Sequence, residues 1–508
     1  MKVRSALRAA VLLAAASIAL TGCVAGGGSG TASGSTDQTL HLQQSAAPGN
    51  FTIGSWSGGE SLISNAVYDT VFTLSVTGKI QPGIADKWEY NDSRTQLTLH
   101  IRSGQKFSDG TAVDANAVVQ SMEALRKGAS SSGAWVSVSD VKATDASTVV
   151  VTLKAADASF VPALVGSNGA IGSPKALTAA SSKLDPVGSG PYTLDKSKTV
   201  AGTKYVLDRN PKNWNVKSYP FAHVEVSIIA DPTAAQNALK SGQVDVLPTA
   251  GTKEAVAQYP KGQFNSGENQ PTAIGVLWLA DRAGKIVPAL ADQRVREAIN
   301  LAFDRTAIAT KLIGPGSGVT NQVVNPNSKS FSKELLSATP FDVSKAKELM
   351  SQAGYSNGFA VTMPSTVYST QYESTITQSL GEIGIKVNWT PVAIQDFFAK
   401  VFSGSYGMYF MFNGLTSFAA VDIHGAISGA FNPFNSTTPE LSALVAKANS
   451  ASDADQDSAW GSVNKYLVDN SWDAPLNYTT GFWVASNKVS YTPPTQYNLN
   501  LLPYAPAK

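Results

Sequence analysis

The sequence predicts an α/β protein, because strand and helix periodicities alternate along the chain. The segment QLTLHIR at 96–102 alternates apolar and polar residues and predicts a half-buried strand. The segment DANAVVQSMEALRKG at 114–128 predicts a helix that Asp114 caps and Gly128 ends. The apolar residues on one stripe of this helix are Val118, Met122 and Leu125.

Three later segments repeat the helical pattern and predict further core-facing helices. The segment at 231–248 places Asp231 as the cap, Pro232 at the first helical position and Gly242 at the stop. The segment at 291–305 carries one apolar face, formed by Val295, Ile299, Ala302 and Phe303. The segment at 341–359 predicts a helix that stops near Gly354.

The N-terminus has the order of a secretory signal peptide, which we place at 1–22. Three cations, Lys2, Arg4 and Arg8, precede an uncharged run at 9–20. The run is too short for a permanent transmembrane anchor, since a helix needs about twenty apolar residues to cross the hydrocarbon core.

Cys23, the single cysteine of the 508 residues, follows this run after two small residues, Thr21 and Gly22. The quartet LTGC at 20–23 resembles the lipobox of bacterial lipoproteins, in which the cysteine sulfur carries a diacylglycerol and becomes the first residue. The alternative is an ordinary signal peptide with an incidental cysteine. Residues 23–36 are rich in Gly, Ser, Ala and Thr and predict a lipidated, flexible linker. The protein is therefore expected to be held at the outer face of the cytoplasmic membrane.

The composition argues against nucleic acid as a partner. Loss of the three cations of the leader changes the formal net charge from +2 to −1, and no stripe of Lys and Arg is present. The hydrophobic fraction of 43% supports full cores, and the length predicts two or more domains.

Motifs of known catalytic sites are nearly absent from the sequence. It contains neither a phosphate-binding Walker loop nor a G-x-S-x-G elbow. The segments SFSK and SKAK fit S-x-x-K, but the companion motifs of penicillin-recognising enzymes are missing. The four histidines are far apart in sequence. We therefore predict no catalytic residues, no cofactor and no metal site.

Residues 78–118 resemble the signature region of the family 5 solute-binding proteins of ABC importers, the peptide- and nickel-binding group. The matching positions are Gly78, Pro82, Ala85, Trp88, Arg102, Gly104, Phe107, Asp109 and Gly110. Ala112 and Asp114 depart from the family, which favours proline and threonine there. Five further motifs agree in family order: VGSGPYTL, DRNPKNW, ALKSGQVDV, RVREAINLAFDR and DVSKAKELMSQAGY.

This resemblance implies a two-lobed fold of the periplasmic-binding-protein type, type II, in the large peptide-binding class. Carried over to this chain, lobe one comprises 37–280 and 471–508, with an inserted subdomain at about 72–184. Lobe two comprises 281–470. In this family the two lobes rotate about a hinge and close on the ligand.

The function implied is an extracytoplasmic receptor that captures a small ligand and delivers it to an ABC permease and its ATPases. Such a receptor is not an enzyme, and we expect a monomer. Two other functions stay open: a receptor for a neutral solute such as an oligosaccharide, or a secreted hydrolase or adhesion lipoprotein that reuses the fold.

Peptide is the leading ligand class, because it dominates the family. Peptide-binding members place an aspartate against the amino terminus of the peptide. Here no carboxylate occurs from Tyr406 through Val421, so a neutral ligand, or one held in an unusual way, follows closely. The few histidines argue against bare nickel.

The expected positions of the cleft supply the candidate ligand-binding residues. Aromatic rings there could stack on a ligand, and an amide could orient it. The candidates are Trp56, Ser57, Trp278, Phe410, Phe412 and Asn413. Core packing is the competing role for each ring and is at least as well supported for Trp278. Trp56 and Asn413 are the favoured candidates.

Overall fold

The computed structural model of the chain describes residues 38–56, 61–496 and 500–507. The predicted signal peptide at 1–22, the linker at 23–36 with Cys23, and Ser57 lie outside the described residues. No helix in the described ranges combines the length and the apolar character needed to cross a membrane.

Strands are distributed along the whole described chain. They are β1 (Thr39–Gln44), β2 (Phe72–Leu74), β3 (Ile80–Pro82), β4 (Ala85–Tyr90), β5 (Gln96–Ile101), β6 (Val138–Ala143), β7 (Thr148–Leu153), β8 (Tyr192–Leu194), β9 (Lys204–Arg209), β10 (His223–Ile228), β11 (Val246–Leu247), β12 (Phe264–Glu268), β13 (Ala273–Trp278), β14 (Ser317–Val319), β15 (Phe359–Ser365), β16 (Ile385–Pro391), β17 (Tyr409–Gly414), β18 (Ala474–Thr479), β19 (Phe482–Ser486), β20 (Val489–Tyr491) and β21 (Tyr504–Pro506).

Helices alternate with these strands. They are α1 (Ser61–Val67), α2 (Ala115–Lys127), α3 (Phe160–Ala163), α4 (Pro174–Leu177), α5 (Pro232–Lys240), α6 (Lys253–Ala257), α7 (Gln293–Leu301), α8 (Arg305–Ala307), α9 (Val343–Gln352), α10 (Thr370–Glu382), α11 (Ile394–Phe402), α12 (Ala419–Ile427), α13 (Pro439–Ser450) and α14 (Gln456–Asp469). A π-helical segment at Ile308–Ile313 follows α8.

The antiparallel sheet β4-β5-β7-β6 forms one core with α2. Leu97 and Leu99 are fully buried on one face of β5, as the alternating pattern predicts. Asp114 caps α2 by accepting a hydrogen bond from the Ala117 amide at 2.9 Å, and the apolar stripe of α2 is buried. The predicted strand and helix are confirmed.

Two further sheets form separate cores. The sheet β1-β10-β9-β8 packs on α1, and β1 runs parallel to β10. The sheet β11-β19-β12 packs on α5 and α6. Asp245, next to β11, joins the two sheets by accepting a hydrogen bond from the His41 amide at 2.8 Å. Asp231 caps α5 as predicted, through the Ala234 amide.

The sheet β14-β18-β13-β17 is covered on both faces. One face packs against α7, α9, α10 and the parallel pair β15–β16, and the other packs against α11 to α14. Because successive residues of a strand point to opposite faces, Phe410 enters the first of these cores and Tyr409 the second. The predicted apolar face at 295–303 belongs to the first core.

Candidate functional site

The chain changes sheets at two places that lie side by side. It leaves β12 for β13 through residues 269–272 and leaves β18 for β19 through residues 480–481. The Asn269 amide donates to the Gly481 carbonyl at 3.0 Å, and the Thr272 amide donates to the Thr479 carbonyl at 2.9 Å. These two crossovers form a paired link between two groups of cores.

We call the group around β14-β18-β13-β17 lobe two, and the remaining described elements lobe one. The sheet includes β13 and β18, so residues 273–278 and 474–479 belong to its hydrogen-bonded network. The sequence placed the first lobe change at residue 280, which follows the first crossover. It placed the second at residue 470, which precedes the second crossover. The exact domain limits stay a prediction.

One row of side chains crosses the lobe-two sheet next to the crossovers. Gly318 pairs with Tyr478, Tyr478 with Ile274, and Ile274 with Asn413, so their side chains share a face. A Cβ atom at Gly318 would lie 2.1 Å from Cζ of Tyr478, so the tyrosine ring lies directly over the glycine. Asn413, Tyr478 and Gly318 of this row are half-buried, and Ile274 is fully buried.

Asn413 places an unused donor on this face. Its Nδ2 atom is buried and has no hydrogen-bond partner within the part of the chain that the structure describes. Buried polar groups in folded proteins are nearly always paired, so an orphaned donor calls for an explanation. An acceptor group on a ligand would provide one.

Phe412 points to the opposite face from its neighbour Asn413. Its ring makes edge contacts with Phe410 at 5.4 Å, Tyr372 at 5.8 Å and Tyr368 at 6.5 Å. Phe410 itself is fully buried and stacks on Tyr372 at 4.2 Å. The alternation of β17 therefore prevents Phe412 and Asn413 from contacting the same group from one side.

Trp278 and Trp56 are both buried, in different cores. Trp278 is fully buried, stacks on Phe431 at 4.1 Å and donates from Nε1 to the Met411 carbonyl at 3.2 Å. Trp56 is 7% exposed and packs against Tyr68 at 5.6 Å, but its Nε1 has no partner among the described residues. Packing accounts fully for Trp278 and Phe410, whereas Trp56 and Asn413 each keep an unused N–H group.

Asp422 is the first carboxylate after the acid-free stretch, and it is already occupied. It is 2% exposed and accepts hydrogen bonds from the Thr416 amide and hydroxyl, both at 2.8 Å, and from the Asn325 amide at 3.1 Å. Burial raises the pKa of Asp422 to about 7, and these hydrogen bonds offset part of the rise. The carboxylate fastens the loop after β17 instead of facing the cleft.

The loop after β17 meets lobe one directly. The Ser417 amide donates to Oε1 of Gln496 at 2.6 Å, and the Ser417 and Thr495 hydroxyls lie 3.1 Å apart. Gly78 touches the same place, because a Cβ atom there would lie 2.2 Å from Oγ of Ser417. Gly78 also has a positive φ of 76°, which favours glycine.

A cavity of about 670 Å³ continues from this loop between the two lobes. Lobe one lines it with Trp88, Tyr90 and Arg94, and lobe two lines it with Phe418 and Trp460 among others. Its size lies in the range of small-molecule sites. The described residues contain no group of three or more His, Cys, Asp or Glu side chains placed to hold a metal ion.

Sequence reasoning missed several of these features. Tyr478 and Gly318 carry no local signal, since only the strand register shows that they meet. The sequence shows that residue 422 is an aspartate, but it does not show that the carboxylate is already hydrogen-bonded. One of its partners, the Asn325 amide, lies 97 residues earlier in the chain.

Comparison with known proteins gives a consistent result. The sequence model of the bacterial extracellular solute-binding proteins, family 5 (middle region), matches residues 79–423. A glutathione-binding protein of Shigella flexneri is 25% identical over 344 residues, which cover 65% of this chain and 64% of that protein. A heme-binding protein of Haemophilus influenzae is 27% identical over 402 residues, 70% of each chain. The chain thus spans about 64% of the length of the first of these relatives.

Solved structures show the same fold. A periplasmic binding protein associated with an ABC transporter of Helicobacter pylori, in complex with the peptide STSA, has a TM-score of 0.76 at 21% identity, covering 93% of this chain and 98% of its own. A protein of Haemophilus parasuis has a TM-score of 0.78 at 19% identity, covering 93% and 100%. The predicted two-lobed, periplasmic-binding-protein-like fold is confirmed.

The occupied state of Asp422 leads to a pH-dependent prediction. The folded pKa is raised, so the folded chain holds a proton that the unfolded chain releases above about pH 4. The contribution of Asp422 to stability is therefore greatest at low pH and decreases as the pH rises towards 7. We expect the unfolding free energy of the wild type to fall relative to Asp422→Asn between pH 4 and 7, by about 1.4 kcal/mol per unit of pKa shift. Urea unfolding across this range measures it, and parallel curves for the two proteins would contradict it.

Proposed function

Because the chain belongs to family 5 of the bacterial extracellular solute-binding proteins, we propose that it is the receptor of an ABC importer. The receptor captures a small solute between its two lobes and passes the solute to the permease of the importer, which ATPases drive. The observation that carries this proposal is the pair of adjacent, hydrogen-bonded crossovers, which joins two separately packed lobes. Binding without chemical turnover is part of this proposed role.

The proposed solute lies over the row that ends at Asn413. The Asn413 Nδ2 donates to an acceptor of the solute, and the ring of Tyr478, on the same face but beyond Ile274, provides a flat apolar surface. Trp56, Ser57 and Phe412 remain proposed ligand contacts. Enclosure removes the solute from water and strengthens these few polar contacts.

Peptide is the proposed ligand class, with a neutral solute such as an oligosaccharide as the alternative. The solved Helicobacter pylori protein with this fold holds the peptide STSA, and the two curated relatives are named for glutathione and heme. The Asp422 carboxylate already accepts hydrogen bonds from Thr416 and Asn325, which supports a ligand whose amine does not require a buried carboxylate. A peptide would then be held through its backbone and not through its charged amino terminus.

We also propose that the receptor works as a lipid-anchored monomer at the outer face of the cytoplasmic membrane. In this proposal Cys23 carries the lipid, and residues 23–36 are the linker between the lipid and the folded part of the protein. The alternative, a secreted hydrolase or adhesion lipoprotein with the same fold, predicts product formation or a genomic neighbourhood without transporter genes.

The first prediction concerns the ligand class. A tetrapeptide with a free amine and its N-acetylated form should bind with affinities within about threefold of each other, because residues 406–421 contain no carboxylate and Asp422 is already hydrogen-bonded within the protein. Isothermal calorimetry measures both. Loss of a buried charged pair costs about 2–5 kcal/mol, so a preference of that size for the free amine, abolished in Asp422→Asn, would contradict the proposal. Binding of a neutral sugar with failure of both peptides would select the alternative class.

The second prediction concerns Asn413. Replacement by leucine removes an unpaired donor and keeps the approximate shape, so stability should stay equal or rise slightly. If the donor serves the solute, retention of the co-purifying solute should fall by about tenfold, equivalent to about 1.4 kcal/mol. Thermal unfolding and native mass spectrometry of the same samples test both parts. Unchanged retention would remove Asn413 from the site.

The third prediction concerns the anchor. Cys23→Ala should abolish lipidation and cleavage at this position and leave solute binding intact, because Cys23 precedes the folded body. Membrane fractionation and intact-mass analysis test it. Equal and stable membrane retention of the two proteins would overturn the lipid anchor.

A further inference from the structure

A contact between two turns bridges the lobes beside the cavity. Nη1 of Arg94, in the turn between β4 and β5, lies 3.0 Å from Oδ1 of Asp453, in the turn between α13 and α14. Close by, the Ala158 amide donates to Oδ1 of Asn449 at 3.1 Å. Ala158 also packs against the core of α11 to α14, although it follows a strand of lobe one.

Arg94 is held in place before it meets its partner. The Arg94 amide donates to the Asn91 carbonyl at 2.9 Å, and Oδ1 of Asn91 accepts from the Thr95 and Gln96 amides at 2.9 and 3.0 Å. The guanidinium lies 4.4 Å from the centre of the Tyr90 ring, and the side chain is only 17% exposed. An arginine fixed in this way loses little side-chain freedom on pairing.

The backbone of Arg94 points to a role for its side chain. Its φ is +54°, a conformation that glycine adopts without strain and that other residues adopt rarely. The turn geometry alone would be served better by glycine. The arginine adds a cation, which lies over the Tyr90 ring within lobe one and reaches Asp453 on the other lobe.

We propose that these two contacts form a latch that holds the lobes together in the absence of solute. This proposal rests on the proposed closure of the lobes. It adds that the two contacts help to set the ratio of open to closed protein. The Asp453 side chain is 91% exposed, so the pair is weak and sensitive to salt. Where two states are nearly balanced, such a contact still changes their ratio by about two- to fivefold.

Hydrogen exchange of the solute-free, full-length protein tests the latch without any ligand. The reporter is the Ala158 amide, which donates across the lobes and exchanges when they separate. Arg94→Gly suits the positive φ and removes the cation, and Asp453→Asn removes the anion. Each variant should raise exchange at Ala158 by about two- to fivefold, and the double variant should exceed neither, because the two residues act as one unit.

A matched control lies on the same lobe and lines the same cavity. Asp457 is also exposed, but it pairs with Lys329 of lobe two at 3.4 Å, so Asp457→Asn makes the same charge change without crossing between lobes. It should leave exchange at Ala158 unchanged. Addition of 0.5 M NaCl should raise the exchange of the wild type and of the control, but not that of Arg94→Gly.

Equal exchange at Ala158 in the wild type, both single variants and the control would overturn the latch. That result is independent of solute binding, which calorimetry tests separately. A protein that binds no solute but shows the increase would keep the latch and lose the proposed function.

Discussion

The hydrogen-bonded pairing of the two crossovers is the constraint on which the rest of the structure depends. The chain passes between the lobes at residues 269–272 and 480–481, and backbone hydrogen bonds at Asn269 and Thr272 hold the two passages side by side. Thr480 adds a side-chain hydrogen bond to Glu268 at 2.6 Å. A link at one edge leaves rotation as the simplest relative motion of the lobes and fixes which surfaces meet.

Burial of the lobe-two sheet on both faces sets the chemistry of the cleft. Both cores require apolar residues along β13 and β17, so polar groups are confined to the ends of the strands near the crossovers. Asn413 and Tyr478 occupy that position. The same packing explains why Trp278 and Phe410, a few residues further into their strands, serve the cores.

The sequence predicted the local elements and the family well, because these depend on short patterns. The strand at 96–101, the Asp114 and Asp231 caps and the apolar face at 295–303 need only neighbouring residues to be recognised. Features formed by residues far apart in the chain could not be predicted from the sequence. The register that places Tyr478 over Gly318, the occupancy of Asp422 and the pairing of Arg94 with Asp453 each join segments far apart in the chain. The sequence also treated Phe412 and Asn413 as one group, whereas strand alternation separates them.

Small-angle X-ray scattering of the purified protein, before and after removal of its bound solute by reversible unfolding, tests the central claim of closure around a solute most directly. If the lobes close around the solute, the radius of gyration increases when the solute is removed and returns to its original value when the same solute is added back. An identical radius in both states, with the solute shown by mass spectrometry to bind and dissociate, would contradict it.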